Sequence, residues 1–134
     1  RISELVGLSD FVHTSKDGFD TWLDPEGRRL SKSIISKIKL ARALVGNPGL
    51  ILLEDHFVQL EKDDIDRIIN YLTDKNNPST VITVTNDPKL ASRFDRVLVL
   101  NKGEMMDCGS FTQLSQKDWF KKLFKTEGHV EYLP

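Results

Sequence analysis

At 134 residues, with 39% hydrophobic and 29% charged residues and a formal charge of −1, the chain has the length of one domain and the composition of a globular protein, which excludes a disordered or fibrous chain. The basic groups Arg28-Arg29-Lys32 and Lys121-Lys122-Lys125 are short and read as solvated faces, so no nucleic-acid partner is expected. Cys108 stands alone, which leaves no disulfide framework and fits a reducing cytosolic setting; His13, His56 and His129 are too scattered for a metal cluster, and no apolar run is long enough for direct membrane insertion.

In chain order, two short apolar-periodic pieces, Ile2 to Val6 and Leu8 to Val12, predict short helices that lead into the loop KDGFDTWLDPEGRR. From Ser31 to Val45 the apolar positions Ile34, Ile38, Ala41 and Val45 fall at spacings of four, three and four. That spacing predicts an amphipathic helix, capped by Ser31 and stopped by Gly46-Asn47-Pro48. Leu50 to Leu53 is wholly apolar and Thr80 to Thr85 is β-branched throughout, so both read as interior parallel strands. Between them, Glu61 to Lys75 carries Ile65, Ile68, Ile69 and Leu72 at helical spacing, completing a strand-helix-strand unit. Asp87-Pro88 opens a brief helix, Val97 to Leu100 and Glu104 to Asp107 flank the turn Asn101-Lys102-Gly103 as a β-hairpin, and Phe111 to Phe124 reads as helical.

Leu50 to Leu53 runs directly into two carboxylates, Glu54 and Asp55, as a buried strand does when it delivers its C-terminal end to a metal or a phosphate. Taken alone, that pattern is weak, because a strand followed by two acids is common and is more often an ordinary strand end. Its surroundings are more specific. LSKSIISKIKLARALVGNPGLILLEDHF, from Leu30, resembles without a gap the stretch of an ATP-binding-cassette (ABC) ATPase from the LSGGQ signature through ARAL to the Walker B strand. TVITVTND resembles the switch-histidine strand, DRVLVLNKGEMMDCGSFTQL the closing hairpin and helix, and DGFDTWLDPEGRRLS the exporter-type loop that touches the transmembrane partner. The chain thus resembles the C-terminal portion of an ABC exporter nucleotide-binding domain along nearly its whole length.

The resemblance implies an α/β fold: part of a P-loop NTPase (RecA-like) parallel sheet with helices, the end of the helical signature subdomain, and a C-terminal β-hairpin and helices. Residues 1–47 would be the end of the helical subdomain and 48–134 the C-terminal part of the ATPase core. It implies ATP-driven transport when the domain is complete and dimerised, with ATP and Mg2+ as cofactors. The implied partners are a second nucleotide-binding domain and a transmembrane domain, and the implied location is the cytoplasmic face of a membrane. Ser31, Lys32 and Ser33 would meet ATP, Glu54 the metal, Asp55 and Asn86 the catalytic positions, and Leu60 and Glu61 the dimer interface. Trp22, Leu23, Asp24, Pro25 and Glu26 would form the loop toward the transmembrane partner.

Several residues depart from the family pattern. No GxxxxGK[ST] loop occurs in the 134 residues, so the chain alone is expected to bind nucleotide weakly or not at all and not to hydrolyse it. Lys32 and Ser33 replace two glycines of the signature and Ile34 its glutamine, the two acids at 54 and 55 stand in reverse order, and Asn86 replaces the switch histidine. Three altered motifs raise an alternative: an impaired regulatory cassette acting as a dimerisation partner. Plainer readings also stand, with Ser31 as an N-cap, Glu61 as a helix-start acid and Trp22 as a partly buried core aromatic.

Overall fold

The computed structural model describes residues 1–24, 27–54 and 57–124. They fall into two compact units, Arg1–Val84 and the chain from Thr85 onward.

In the first unit, helices α1 (Ile2–Leu5) and α2 (Ser9–Thr14) and one 3₁₀ turn (Gly18–Asp20) precede helix α3 (Lys32–Leu44). Ser31 caps α3, its Oγ accepting from the Ile34 N–H at 3.2 Å. The helix stops as expected: Val45 is extended, and Gly46 and Asn47 take positive φ angles of 88° and 50° that carry the chain away from the helical path. Strand β1 (Leu50–Glu54), helix α4 (Lys62–Leu72) and strand β2 (Thr80–Val84) follow, the strands paired in parallel from Leu50↔Thr80 to Glu54↔Val84. The core of this unit gathers Leu40 and Leu44 of α3, Ile51 and Leu53 of β1, Ile68, Ile69 and Leu72 of α4, and Val6, Leu8 and Phe57.

Two expectations change here. The strands are not interior on both faces: Leu50, Leu52, Ile82 and Val84 are 53 to 64% exposed, because alternate side chains of the parallel pair point away from the helices. The buried side of α3 is Leu40 and Leu44 rather than the Ile34-Ile38-Ala41-Val45 stripe. Ile38, Ala41 and Val45 instead line an open groove of about 570 Å³ with Phe11, Val12 and Phe19.

The second unit holds helix α5 (Pro88–Ala91), capped by Asp87, and the hairpin of β3 (Val97–Asn101) and β4 (Glu104–Gly109). Lys102 and Gly103 both have positive φ, the two-residue turn whose twist suits a hairpin. The register steps between Val99 and Leu100, leaving Met106 as an extra residue on β4.

The expected single helix from Phe111 to Phe124 is instead two, α6 (Phe111–Leu114) and α7 (Asp118–Leu123). A reciprocal capping box of Ser110 and Gln113 starts α6. Lys117 is extended, and its ammonium reaches back to Asp107 on β4. The break lets Phe120 turn inward at 1% exposure, edge-on to Phe111, Trp119 and Phe124 at centroid distances of 5.6, 5.8 and 5.2 Å.

The Lys117 ammonium, as hydrogen-bond donor, holds the Asp107 carboxyl below its ordinary range; burial opposes it, and the Cys108 N–H and the Lys117 charge assist. A depressed carboxylate stabilises the fold above its unfolded pKa and loses that contribution as pH falls through the folded one. Asp107→Asn should therefore lower the thermal midpoint slightly at neutral pH, with the difference closing from about pH 4 downward. Thermal scans against pH read this, and a difference independent of pH would count against it.

Gly7, at φ 74°, sits where a Cβ would lie 2.6 Å from Asp64 Oδ1 and 3.0 Å from both Arg67 Nη2 and Lys37 Nζ. Gly7→Ala meets both backbone strain and a crowded polar cluster, so it should cost about 3 kcal/mol in urea unfolding. A loss under about 1 kcal/mol would show that the cluster yields freely.

Candidate functional site

The strand β1 ends at Glu54, whose side chain is exposed on the face shared with Val84 of β2. Asp55, with Pro25 and Glu26 of the loop, lies outside the described residues. Beyond it the chain turns, with Phe57 buried and its carbonyl accepting from the Leu60 N–H at 3.1 Å. Leu60 is half-buried, and Glu61 is the exposed N-cap of α4, making no side-chain cap bond.

The N-terminus of α3 presents three consecutive candidates. Ser31 and Lys32 are exposed and Ser33 is half-buried. Ser31 Oγ is engaged by Ile34, which realises the capping reading, while the first-turn N–H groups of any helix lack intrahelical partners and carry the positive end of its dipole. The approach to this turn is ordered by local hydrogen bonds: Gly27 N–H to Asp24 O at 2.8 Å, Leu30 N–H to Gly27 O at 2.9 Å, and Arg28 N–H to Asp24 Oδ2 at 3.3 Å. Gly27, at φ 64°, packs against Ile35, where a Cβ would come within 3.1 Å of Ile35 Cδ1.

Trp22 is 79% exposed, so it is not a core aromatic; Leu23 and Asp24 beside it are half-buried. Trp22 lines a shallow cleft with Phe11, Leu23, Asp24, Arg29 and Leu30.

The first unit thus holds Ser31 to Ser33, Glu54, Leu60, Glu61 and Trp22 to Asp24. Asn86 belongs to the second, exposed between Thr85 and Asp87, where Thr85 Oγ1 accepts from the Asp87 N–H at 3.0 Å. Among the described residues, no group of three His, Cys, Asp or Glu side chains gathers to hold a metal. No helix among them is long and apolar enough to cross a membrane.

Sequence reasoning missed the polar cluster behind α3. Asp64 of α4, 7% exposed, pairs with Lys37 of α3 at 2.6 Å and with Arg67 one turn along its own helix. Asp64 and Arg67 at i,i+3 were a visible signal; Lys37 and Gly7 were not, because each meets the cluster only through the fold.

The fold is one found within a solved ABC exporter. A bacterial Atm1-family ABC exporter, solved with ATP bound, matches it with a TM-score of 0.82 and 22% identity, over 96% of this chain and 23% of that one. The chain is also similar to parts of curated transport proteins. The ATP-dependent lipid A-core flippase of Aliivibrio fischeri is 28% identical over 88% of this chain and 20% of its own length. The glutathione/L-cysteine transport system ATP-binding/permease protein CydC of Haemophilus influenzae is 28% identical over 90% and 21%. The leukotoxin translocation ATP-binding protein LktB of a Pasteurella haemolytica-like species is 27% identical over 87% and 16%. The chain spans about one fifth of the length of these relatives. No family model matches it.

Ser31→Ala should cost about 1 kcal/mol, the usual worth of an N-cap, and Ser31→Asp should restore it. Urea unfolding monitored by far-UV circular dichroism checks this; equal stability of all three forms would mean the cap bond carries no weight.

Proposed function

We propose that this chain serves as the C-terminal part of the ATP-binding domain of an ABC exporter, at the cytoplasmic face of a membrane, coupling ATP to transport once the domain is complete and dimerised. In this reading residues 1–47 end the helical subdomain and 48–134 belong to the ATPase core. The observation that carries it is the parallel β1-α4-β2 unit whose first strand ends on Glu54, within a similarity covering 88% of the chain. The bare apolar face of Leu50, Leu52, Ile82 and Val84 supports it, since parallel sheets in α/β proteins are covered on both faces.

The donor set suits the implied ligands. Glu54 offers hard carboxylate oxygens to Mg2+, and the α3 N-terminus offers N–H groups and the Lys32 ammonium to phosphate. Bound magnesium would neutralise charge on the phosphate oxygens. Ser31, Lys32 and Ser33 bind a nucleotide held by the partner cassette, Leu60 and Glu61 lie at the dimer contact, and Asn86 donates an amide N–H to phosphate. Trp22 to Glu26 face the transmembrane partner. Asp55 positions water but is one methylene shorter than the usual glutamate, and a displacement of ~1 Å costs on the order of 10²-fold in rate. The altered signature, acid pair and switch residue favour a second reading, a regulatory cassette whose partner performs the hydrolysis.

In the gene product that carries this chain, Asp55→Glu should raise ATP turnover by about tenfold or more, measured as phosphate release. The 134-residue chain alone should show no saturable Mg-ATP binding at micromolar concentrations. Unchanged turnover in the variant would sink the role of Asp55, and tight binding by the chain alone would sink the division of the site.

A further inference from the structure

Helix α3 is held in two different ways along its length. Leu40 and Leu44 in its second half are 0% and 2% exposed and fix that half by apolar contact. None of residues 32–39 is buried. In that half Lys37 Nζ lies 2.6 Å from Asp64 Oδ2 and donates to Gly7 O at 3.2 Å. Asp64 Oδ1 accepts from Arg67 Nη2, and Arg67 Nε donates to Leu5 O at 2.8 Å. One carboxylate therefore joins the end of α1, the first half of α3 and the first turn of α4.

We infer that Asp64 is a positioning residue: through Lys37 it sets the direction of α3 and so the placement of Ser31, Lys32 and Ser33. This rests on the reading that puts the α3 N-terminus against nucleotide. Apolar contact is non-directional and tolerates small rotations, whereas an ion pair with two oriented bonds, in a space Gly7 leaves only by lacking a Cβ, has one geometry. The lever is unequal. Lys37 is three residues from Leu40 and Ser31 is nine, so at ~1.5 Å of rise per residue slack at the ion pair is amplified about threefold at the first turn. A shift of ~0.3 Å at Lys37 then displaces Ser31 by ~1 Å, enough to matter for a reacting phosphate.

The test separates position from stability. Replacing Lys37 and Asp64 together, as Lys37→Met with Asp64→Leu, exchanges a largely buried ion pair for apolar side chains, which is often neutral for stability, and leaves the guanidinium of Arg67, 43% exposed, to solvent and to its bond with Leu5 O. The double variant should melt within about 3 °C of wild type. Amide exchange at residues 35–38 should rise about tenfold while residues 41–44 stay protected. In the gene product that carries the chain, KM for Mg-ATP should rise about tenfold. Asp64→Glu, too long for the space, should not preserve the wild-type KM. If KM is unchanged in the double variant, whether or not exchange changes, Asp64 is structural only and the inference falls while the functional reading stands. If the wild-type gene product shows no Mg-ATP binding or turnover, that reading falls and takes the inference with it.

Discussion

The first unit is built around a buried carboxylate, that of Asp64. An unpaired charge in a protein interior costs several kcal/mol, so its burial commits the neighbouring chain to answering it. Lys37 and Arg67 do so, and each also donates to a backbone carbonyl near the end of α1, Gly7 O and Leu5 O. A four-residue helix such as α1 has little stability of its own, and these cations satisfy carbonyls left over at its C-terminal end. The glycine at position 7 is part of the same arrangement, since its positive φ turns the chain and its missing side chain leaves room for the three charged groups.

The two units are stabilised by different physics. The first relies on buried aliphatic side chains of its helices and of β1, together with the ionic cluster around Asp64. The second builds a small core from Val99, Leu114 and Phe120, surrounded by Val97, Phe111, Trp119, Leu123 and Phe124. Edge-on aromatic pairs have preferred geometry as well as area, so a few rings specify packing that a short hairpin and two short helices could not specify alone.

Elements governed by local rules were legible in the sequence. Ser31 and Gly46-Asn47 mark the ends of α3, Asp87-Pro88 starts α5, and Lys102-Gly103 turns the hairpin, each through a preference that acts within a few residues. Features decided by distant partners were not legible. The break between α6 and α7 coincides with the pairing of Lys117 with Asp107, ten residues back, and the buried side of α3, Leu40 and Leu44, is not the apolar stripe that local spacing marks. Of the candidate site, the strand end at Glu54 and the helix start at Ser31 followed from pattern, whereas their chemical roles came only from resemblance. Asn86 illustrates the gap: sequence placed it just past β2, but it falls in the other unit.

The electrostatics of the two long helices differ in a way that bears on the proposed nucleotide contact. The first turn of α4 follows the common preference, placing Asp63 and Asp64 at the positive end of the dipole. The first turn of α3 has no acid and begins with Lys32, an arrangement that costs a helix ~0.3–1 kcal/mol where it stands alone. Arg29 shortly before it adds to the same sign and is exposed. An anion at this end would relieve the charge that the helix itself leaves unanswered. In the proposed reading Lys32 and Ser33 stand where the resembled signature has glycines, so close backbone approach is lost, Lys32 adds a longer-reaching cation, and recognition would shift from short N–H bonds toward a flexible point charge. Such a contact holds a phosphate less sharply than a glycine-lined turn, which places more weight on how firmly Lys37 and Asp64 aim the helix that carries it.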